Sequence, residues 1–209
     1  MELIAAGRAS EIYDLGDGRV LRRFRAGGDP EREAAAMERA LSNGYPVPHV
    51  LDARPDSLVL ERIEGPTMLA DLRRRPWTFR AHARGLAALH QRLHEIEAPP
   101  TLPAAGEGDR LLHLDLHPEN VILSPSGPVV VDWANAARGD PALDVAMIWV
   151  IGATSGGRLG PLFLRPFLSQ FDRDAVLRAL PAAGERRVAD VNVTDGERAA
   201  VRRLLQRAG

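Results

Sequence analysis

The chain contains no cysteine. That excludes disulfides, thiolate nucleophiles and cysteine-based zinc sites, and it agrees with a reducing cytoplasmic setting. Lysine is absent as well: all 27 basic residues are arginine. Neither a Schiff base nor a P-loop lysine is available, so any side chain that meets phosphate with a positive charge must be a guanidinium. Net charge is −1, which gives no electrostatic footprint for nucleic acid. The triplet Arg73-Arg-Arg75 is too short to supply one and reads as a solvated helix end. Long apolar runs are lacking too. The longest, residues 145–151, is far shorter than a bilayer span, and the N-terminus has neither a basic start nor a signal-type apolar stretch. The expectation is a cytoplasmic protein without a membrane partner.

What is present suffices for a folded core. Of the 209 residues, 45% are apolar, enough for one large domain or for two lobes that share a cleft. Gly16-Asp-Gly18 between residues 11–15 and 19–24 predicts a β-hairpin. Asp29-Pro30 opens a helix that runs to Leu41 and stops at Asn43-Gly44. Residues 57–63 read as another strand, closed by Glu64-Gly-Pro66. Beyond this point the pattern becomes helical. A long helix is expected from Pro76 to about Ile96, with Leu86, Leu89, Leu93 and Ile96 on one face. A second starts at Asp140-Pro141 and ends near Ile151, and the tail reads as helix over 162–180 and 195–207. Thr194-Asp-Gly-Glu197 fits a capping box. The boundary near Gly65-Pro66 divides the chain into residues 1–65 and 66–209.

One segment carries chemistry. His113-x-Asp115-x-x-x-x-Asn120 leads into an apolar strand at 121–123, a Ser/Pro/Gly turn, and a second strand at 129–131 that ends on Asp132-Trp133. A hairpin flanked by two acids and one amide can hold a divalent cation while one carboxylate remains free to take a proton. Phosphoryl transfer from a nucleotide needs that equipment: oxygen ligands for Mg²⁺ and a base beside the attacking hydroxyl. The plainer alternative is a pair of polar turns and an acid that ends a strand.

This segment resembles the catalytic and metal-binding loops of the aminoglycoside phosphotransferase and choline kinase-like family. The likeness continues through Gly139-Asp140-Pro-Ala-Leu-Asp144 and, more weakly, back through Pro46-Val-Pro48, residues 58–62, Gly65 and the helix at 86–90. It implies an α+β, two-lobed protein-kinase-like fold: a small antiparallel-sheet N-terminal lobe and a mainly helical C-terminal lobe carrying the catalytic hairpin. It also implies ATP or another NTP with Mg²⁺, and a small molecule that offers a hydroxyl. By resemblance Asp115 is the catalytic base, and Asn120 and Asp132 are the Mg²⁺ ligands. His113 and Asp144 brace the loop. Arg22, paired with Glu33, contacts phosphate, and the backbone of Ile63 meets the base of the nucleotide. Residues 6–10, with a single glycine, are the expected phosphate-covering loop.

Other readings remain open at this level. The plainer alternative for Arg22, with Arg23 and Arg25, is a solvated strand face. Only eight positions separate Asp132 from Asp140, which leaves no room for a peptide-holding activation segment and disfavours a protein kinase. A nucleotide-binding module that has lost catalysis is compatible with the missing lysine and the thin glycine loop. His90 and His94 lie one turn apart but have no evident third ligand. A histidine-based hydrolase would need them to converge with His113 and His117. Glu119, Asp140, Asp190 and Asp195 could line a pocket for a cationic amine, or sit as solvated helix-end acids.

Overall fold

A computed structural model describes residues 1–7, 10–25, 28–157, 160–191 and 193–208. The chain begins with an antiparallel sheet of strands β1 (Glu2–Ala6), β2 (Ser10–Gly16), β3 (Arg19–Phe24), β4 (Val50–Arg54) and β5 (Ser57–Glu61), in the order β1-β2-β3-β5-β4. The β2–β3 turn forms as expected: Gly16, Asp17 and Gly18 all have positive φ, as tight hairpin turns of this hand require. Helix α1 (Pro30–Ser42) lies against β4 and β5. Asp29 caps it by accepting a hydrogen bond from the Arg32 amide at 3.0 Å, and Pro30 occupies the first turn.

The helical portion follows. Helix α2 (Met68–Arg74) starts at Thr67, whose hydroxyl accepts from the Ala70 amide at 3.1 Å. A 3₁₀ turn at Pro76–Thr78 leads into α3 (Phe79–Leu93). Strand β6 (Arg110–Leu112) pairs with β9 (Ala137–Gly139), and between them β7 (Val121–Ser124) and β8 (Gly127–Val130) form the expected hairpin. Helices α4 (Pro141–Ser155), α5 (Gly160–Leu168), α6 (Arg173–Ala189) and α7 (Asp195–Ala208) complete the chain. The capping box at α7 is present, with Thr194 N to Glu197 Oε2 at 2.9 Å and Glu197 N to Thr194 Oγ1 at 3.3 Å.

The fold is α+β, a five-stranded antiparallel sheet lobe followed by a mainly helical lobe that carries the hairpin. Several element boundaries depart from the sequence reading. Strands β1, β4, β6 and β9 and helix α2 are additional. The helix entering at Pro76 is a 3₁₀ turn followed by α3, which ends at Leu93, three residues short of Ile96. The segment expected as one helix over 162–180 is two, divided at Asp172, which caps α6 through the amides of Asp174 and Ala175. Strand β8 ends at Val130, so Asp132 stands beyond the strand.

One continuous core runs through both lobes. It includes Leu58 and Leu60 of the sheet, Met37 of α1, Val121 and Val130 of the hairpin, Leu86 of α3 and Val145 of α4. Tyr45 fastens the junction: its ring meets Trp133 edge-on at 5.9 Å and its hydroxyl donates to the Leu89 carbonyl at 3.1 Å. Among the described residues no helix is long and apolar enough to cross a membrane.

Candidate active site

The loop between β6 and β7 is held from below. Leu114 has φ 62°, a left-handed conformation that costs a non-glycine residue about 1–2 kcal/mol and persists only where surroundings enforce it. Asp144, fully buried in the first turn of α4, enforces it. Its carboxylate accepts from the Leu114 amide at 2.7 Å, the His113 amide at 3.2 Å and His94 Nε2 at 3.0 Å. Burial alone would raise this carboxyl. The His90 and His94 imidazoles beside it outweigh burial and hold it well below the usual carboxylate range. His113 packs beside Trp133, ring centroids 4.8 Å apart, and its Nε2 lies 3.2 Å from the Val131 carbonyl. Burial lowers it to about 4, so the ring is neutral and Nε2 must carry the hydrogen it donates. His113 and Asp144 thus occupy the bracing positions that the sequence suggested.

Asp115 follows, with its side chain a quarter exposed. Burial pushes its carboxyl up to about 6; nearby Asp132 adds to the shift, while His117, Arg187 and Asn120 oppose it. Asn120 ends a 3₁₀ turn (Pro118–Asn120), and its amide nitrogen donates to the Asp115 carbonyl at 2.9 Å and to Asp115 Oδ2 at 3.3 Å. With the nitrogen committed, the oxygen of the Asn120 amide is its remaining acceptor. Asp132, at φ 66°, is the other left-handed residue of the site. Burial would raise its carboxyl, but the Arg22 guanidinium overrides this and keeps it ionised below its ordinary value.

Arg22 links the two lobes. It is buried on β3, whereas Arg23 and Arg25 are exposed, so the solvated-face reading fails for Arg22 alone. Its guanidinium donates to Glu33 Oε1 on α1 at 2.7 Å and to Asp132 Oδ1 at 2.5 Å. Glu33 Oε1 also accepts from the Trp133 amide at 3.2 Å. Burial drives the Glu33 carboxyl up to about 7 despite Arg22. Two buried polar atoms here, Arg22 Nε and Glu33 Oε2, have no hydrogen-bond partner among the described residues.

These groups border a cleft of about 950 Å³, within the range of ligand sites. Asp115, Asn120 and Asp132 line its helical side, Val20 and Arg22 its sheet side, and Ile63 the linker between them. Gly65 fixes that linker. At φ 141° a Cβ would lie 2.3 Å from the Leu123 carbonyl oxygen, so only glycine lets the linker pass this close to the hairpin. All six residues expected at the site therefore gather on this cleft or, for Glu33, behind it. The phosphate-covering loop at 6–10 lies partly outside the described residues, since Arg8 and Ala9 are not described; Gly7 and Ser10 line the cleft. For a cation, the donor set fits a hard ion: one amide oxygen and one ionised carboxylate, with no sulfur or free imidazole between them.

Two features escaped the sequence reading. Arg187, on α6, reaches the cleft, 3.6 Å from Asp190 and 3.5 Å from Glu197. Nothing local in the sequence marks it, because it arrives through tertiary packing. The other is the third partner of the histidine pair. Asp144 joins His90 and His94, all three offering ligand atoms within 4.8 Å of one another. His90 Nε2 faces the Leu116 carbonyl at 3.1 Å and Asp144 is engaged by two backbone amides, so the trio functions as loop support. Neither His113 nor His117 joins that cluster, against the hydrolase alternative.

Comparison with known proteins agrees with this architecture. Residues 92–182 match the model of a family described as the phosphotransferase enzyme family. Thiamine kinase of Escherichia coli (strain SMS-3-5 / SECEC) is 38% identical over 60 residues, 29% of this chain and 20% of the relative. Thiamine kinase of Salmonella paratyphi B is 44% identical over 39 residues, 19% of this chain and 14% of the relative. The matched stretch thus spans a fifth or less of these curated relatives. Among solved structures, a thermostable mutant of aminoglycoside phosphotransferase APH(4)-Ia in ternary complex with ADP and hygromycin B superposes with a TM-score of 0.75 at 17% identity, covering 99% of this chain and 93% of that one. A choline/ethanolamine kinase family protein from Mesorhizobium loti gives 0.62 at 21% identity, covering 100% and 86%. The resemblance read from the His113–Asp132 segment is borne out, and the fold is the one these phosphotransferases share.

Proposed function

We propose that the chain is a phosphotransferase that moves the γ-phosphate of ATP, or of another NTP, to a hydroxyl of a small molecule. One observation carries the reading. Asp115, Asn120 and Asp132 meet on a single cleft whose opposite wall carries Arg22. The nucleotide-binding lobe is residues 1–65 and the lobe of the acceptor and the catalytic loop is 66–209.

In this reading Asp115 takes the proton of the attacking hydroxyl. A carboxyl at about 6 is mostly ionised at neutral pH yet basic enough to accept a proton as the new bond forms. Its hydrogen bond from Asn120, and His117 Nε2 at 3.5 Å, aim the carboxylate. Asn120 and Asp132 would hold Mg²⁺, whose chemistry is to neutralise phosphate charge and bridge phosphate oxygens. Arg22 stands where the missing lysine would, and its fork can meet phosphate oxygens bidentately. Glu33 positions that fork, and the Ile63 backbone faces the base. An activation segment has no room here, since β9 and α4 begin within the few residues after Asp132; this disfavours peptide acceptors.

A second reading rests on one specific observation. Arg22 is closed onto Asp132 at 2.5 Å, which occupies an oxygen that a metal would use. A module that binds nucleotide without turnover would tolerate this. Asp115→Asn separates the two. Phosphotransfer requires turnover to fall by about 10²–10⁴-fold while MgATP affinity, followed by calorimetry, stays within about twofold. Asp132→Ala should instead weaken magnesium-dependent nucleotide binding. Absence of any thermal shift with millimolar MgATP would remove both readings.

A further inference from the structure

Next to the cleft lies a second cavity of about 320 Å³. Its walls are Leu69 of α2, Phe79 of α3, Ile148 and Ile151 of α4, and Phe163 and Leu164 of α5. The two spaces share His117, Glu119, Ile151 and Arg187 at their common border. His117 in turn stands 3.5 Å from Asp115. The cavity and the cleft are therefore neighbours across these side chains, and Asp115 lies on the cleft side of that border.

The charges around this border decide what such a molecule is. Glu119 is the one acid that lines the cavity among the described residues, and Arg73, Arg187 and His117 line it too. Asp115 and Asp132 belong to the larger cleft, and the remaining acids near the border are committed. Asp190 and Glu197 are paired with Arg187. Glu197 also accepts from Ser155 and Thr194, and its hydrogen bond from the Thr194 backbone leads the causes that lower it to about 2. Asp140 caps α4 through the Ala142 amide at 2.8 Å, and Asp195 lies in solvent 3.8 Å from Arg198. Of the acids that the sequence offered for a cationic amine, only Glu119 faces this cavity; Arg73 faces it too, and Arg187 is offset by Asp190 and Glu197. A fixed ammonium group entering here would lose its hydration to apolar walls, with Glu119 as the single acid of the lining among the described residues and the Arg73 guanidinium on the same border.

We infer that the acceptor is an alcohol with an apolar body and no ammonium group, its body in the 320 Å³ cavity and its hydroxyl turned toward Asp115. The inference rests on the phosphotransferase reading above. In the step, the alcohol oxygen forms a bond to the γ-phosphorus as the bond from that phosphorus to the β,γ-bridging oxygen breaks. The hydroxyl proton passes to Asp115, and the electron pair of the broken bond leaves with ADP.

The test compares 1-hexanol with 6-amino-1-hexanol, and 1-hexanol with 1-pentanol and 1-heptanol, on the whole chain with Mg²⁺ and nucleotide. Binding is read by saturation-transfer NMR, and alkyl phosphate by ³¹P NMR with MgATP. Hexanol should bind at least about tenfold more tightly than its amino counterpart, since one unpaired charge in an apolar site costs more than a hydrogen bond does. Each added methylene should tighten binding by about fourfold. Ile151→Glu should reverse the preference for the uncharged alcohol, and the wild-type comparison is decisive even if that variant does not fold. Equal or tighter binding of the aminoalcohol, or no alkanol binding while MgATP binds, overturns the inference and leaves phosphotransfer standing. Alkanol bound with the expected preference but never phosphorylated supports the apolar site and counts against the transfer reading.

Discussion

At Asp115 the proposed role as a base and the stability of the fold pull in opposite directions. Its carboxyl rises from 3.8 to about 6 chiefly because it is buried. A raised value means that the folded state holds the proton more tightly than the unfolded chain. The protonated form favours folding, and this contribution is lost as pH rises through about 6. Above that the fold carries the full cost of an ionised buried carboxylate, about 3 kcal/mol for a shift of roughly two units. Asp115→Asn should therefore stabilise the protein by about 1–3 kcal/mol at pH 8 and by almost nothing near pH 4, measured by urea unfolding. If Asp115 is the base proposed above, the same group sets the acid limb of the pH–rate profile. For any acceptor turned over, kcat/KM should fall tenfold per unit as pH drops below about 6. A profile flat from pH 5 to 8 would remove Asp115 as the base.

Elements explain why that carboxylate is where it is. The loop depends on α4 through Asp144, which is fully buried and accepts two backbone N–H groups and one imidazole N–H. Asp144→Ala leaves these donors without their acceptor, each at about 1–3 kcal/mol. The expected loss is about 3–5 kcal/mol by chemical denaturation, accompanied by loss of the Leu114 turn. A loss below about 1 kcal/mol would mean that water or another group replaces Asp144. Elements also mark what was legible in the sequence. Helices α1, α4 and α7 announce themselves by Asp-Pro or capping-box starts, and the β2–β3 hairpin by its Gly-Asp-Gly turn. Strand β1 does not, because all five of its residues are exposed and no alternation results. Helix α2 is too short for a periodic signal, and the break before α6 is marked only by Asp172. The Asp115, Asn120 and Asp132 grouping is legible because one short segment carries all three. Arg187 and the apolar cavity are not, since they arise where α2, α3, α4, α5 and α6 meet.

At the scale of the whole molecule, the cleft lies between two lobes that do not have separate cores. Leu58 and Leu60 from the sheet belong to the same cluster as Leu86, Val145, Val176 and Val201 from the helices. Polar ties cross at the same junction: Arg22 to Asp132 at 2.5 Å, Trp133 N to Glu33 at 3.2 Å, Arg32 to the Ala134 carbonyl at 2.7 Å and Val130 N to the Pro46 carbonyl at 2.8 Å. A shared core makes unfolding of one lobe expose apolar surface on the other, so the two should melt together. Calorimetry should give a single endotherm whose calorimetric and van't Hoff enthalpies agree. A ligand bound between the lobes then stabilises the whole unit. MgATP at a hundred times its dissociation constant should add about 2.7 kcal/mol and move that one transition upward by about 5–10 °C. Two endotherms, with only the lower one responding to MgATP, would mean that the sheet lobe folds and binds by itself, and that the Arg22–Asp132 contact joins two independent units.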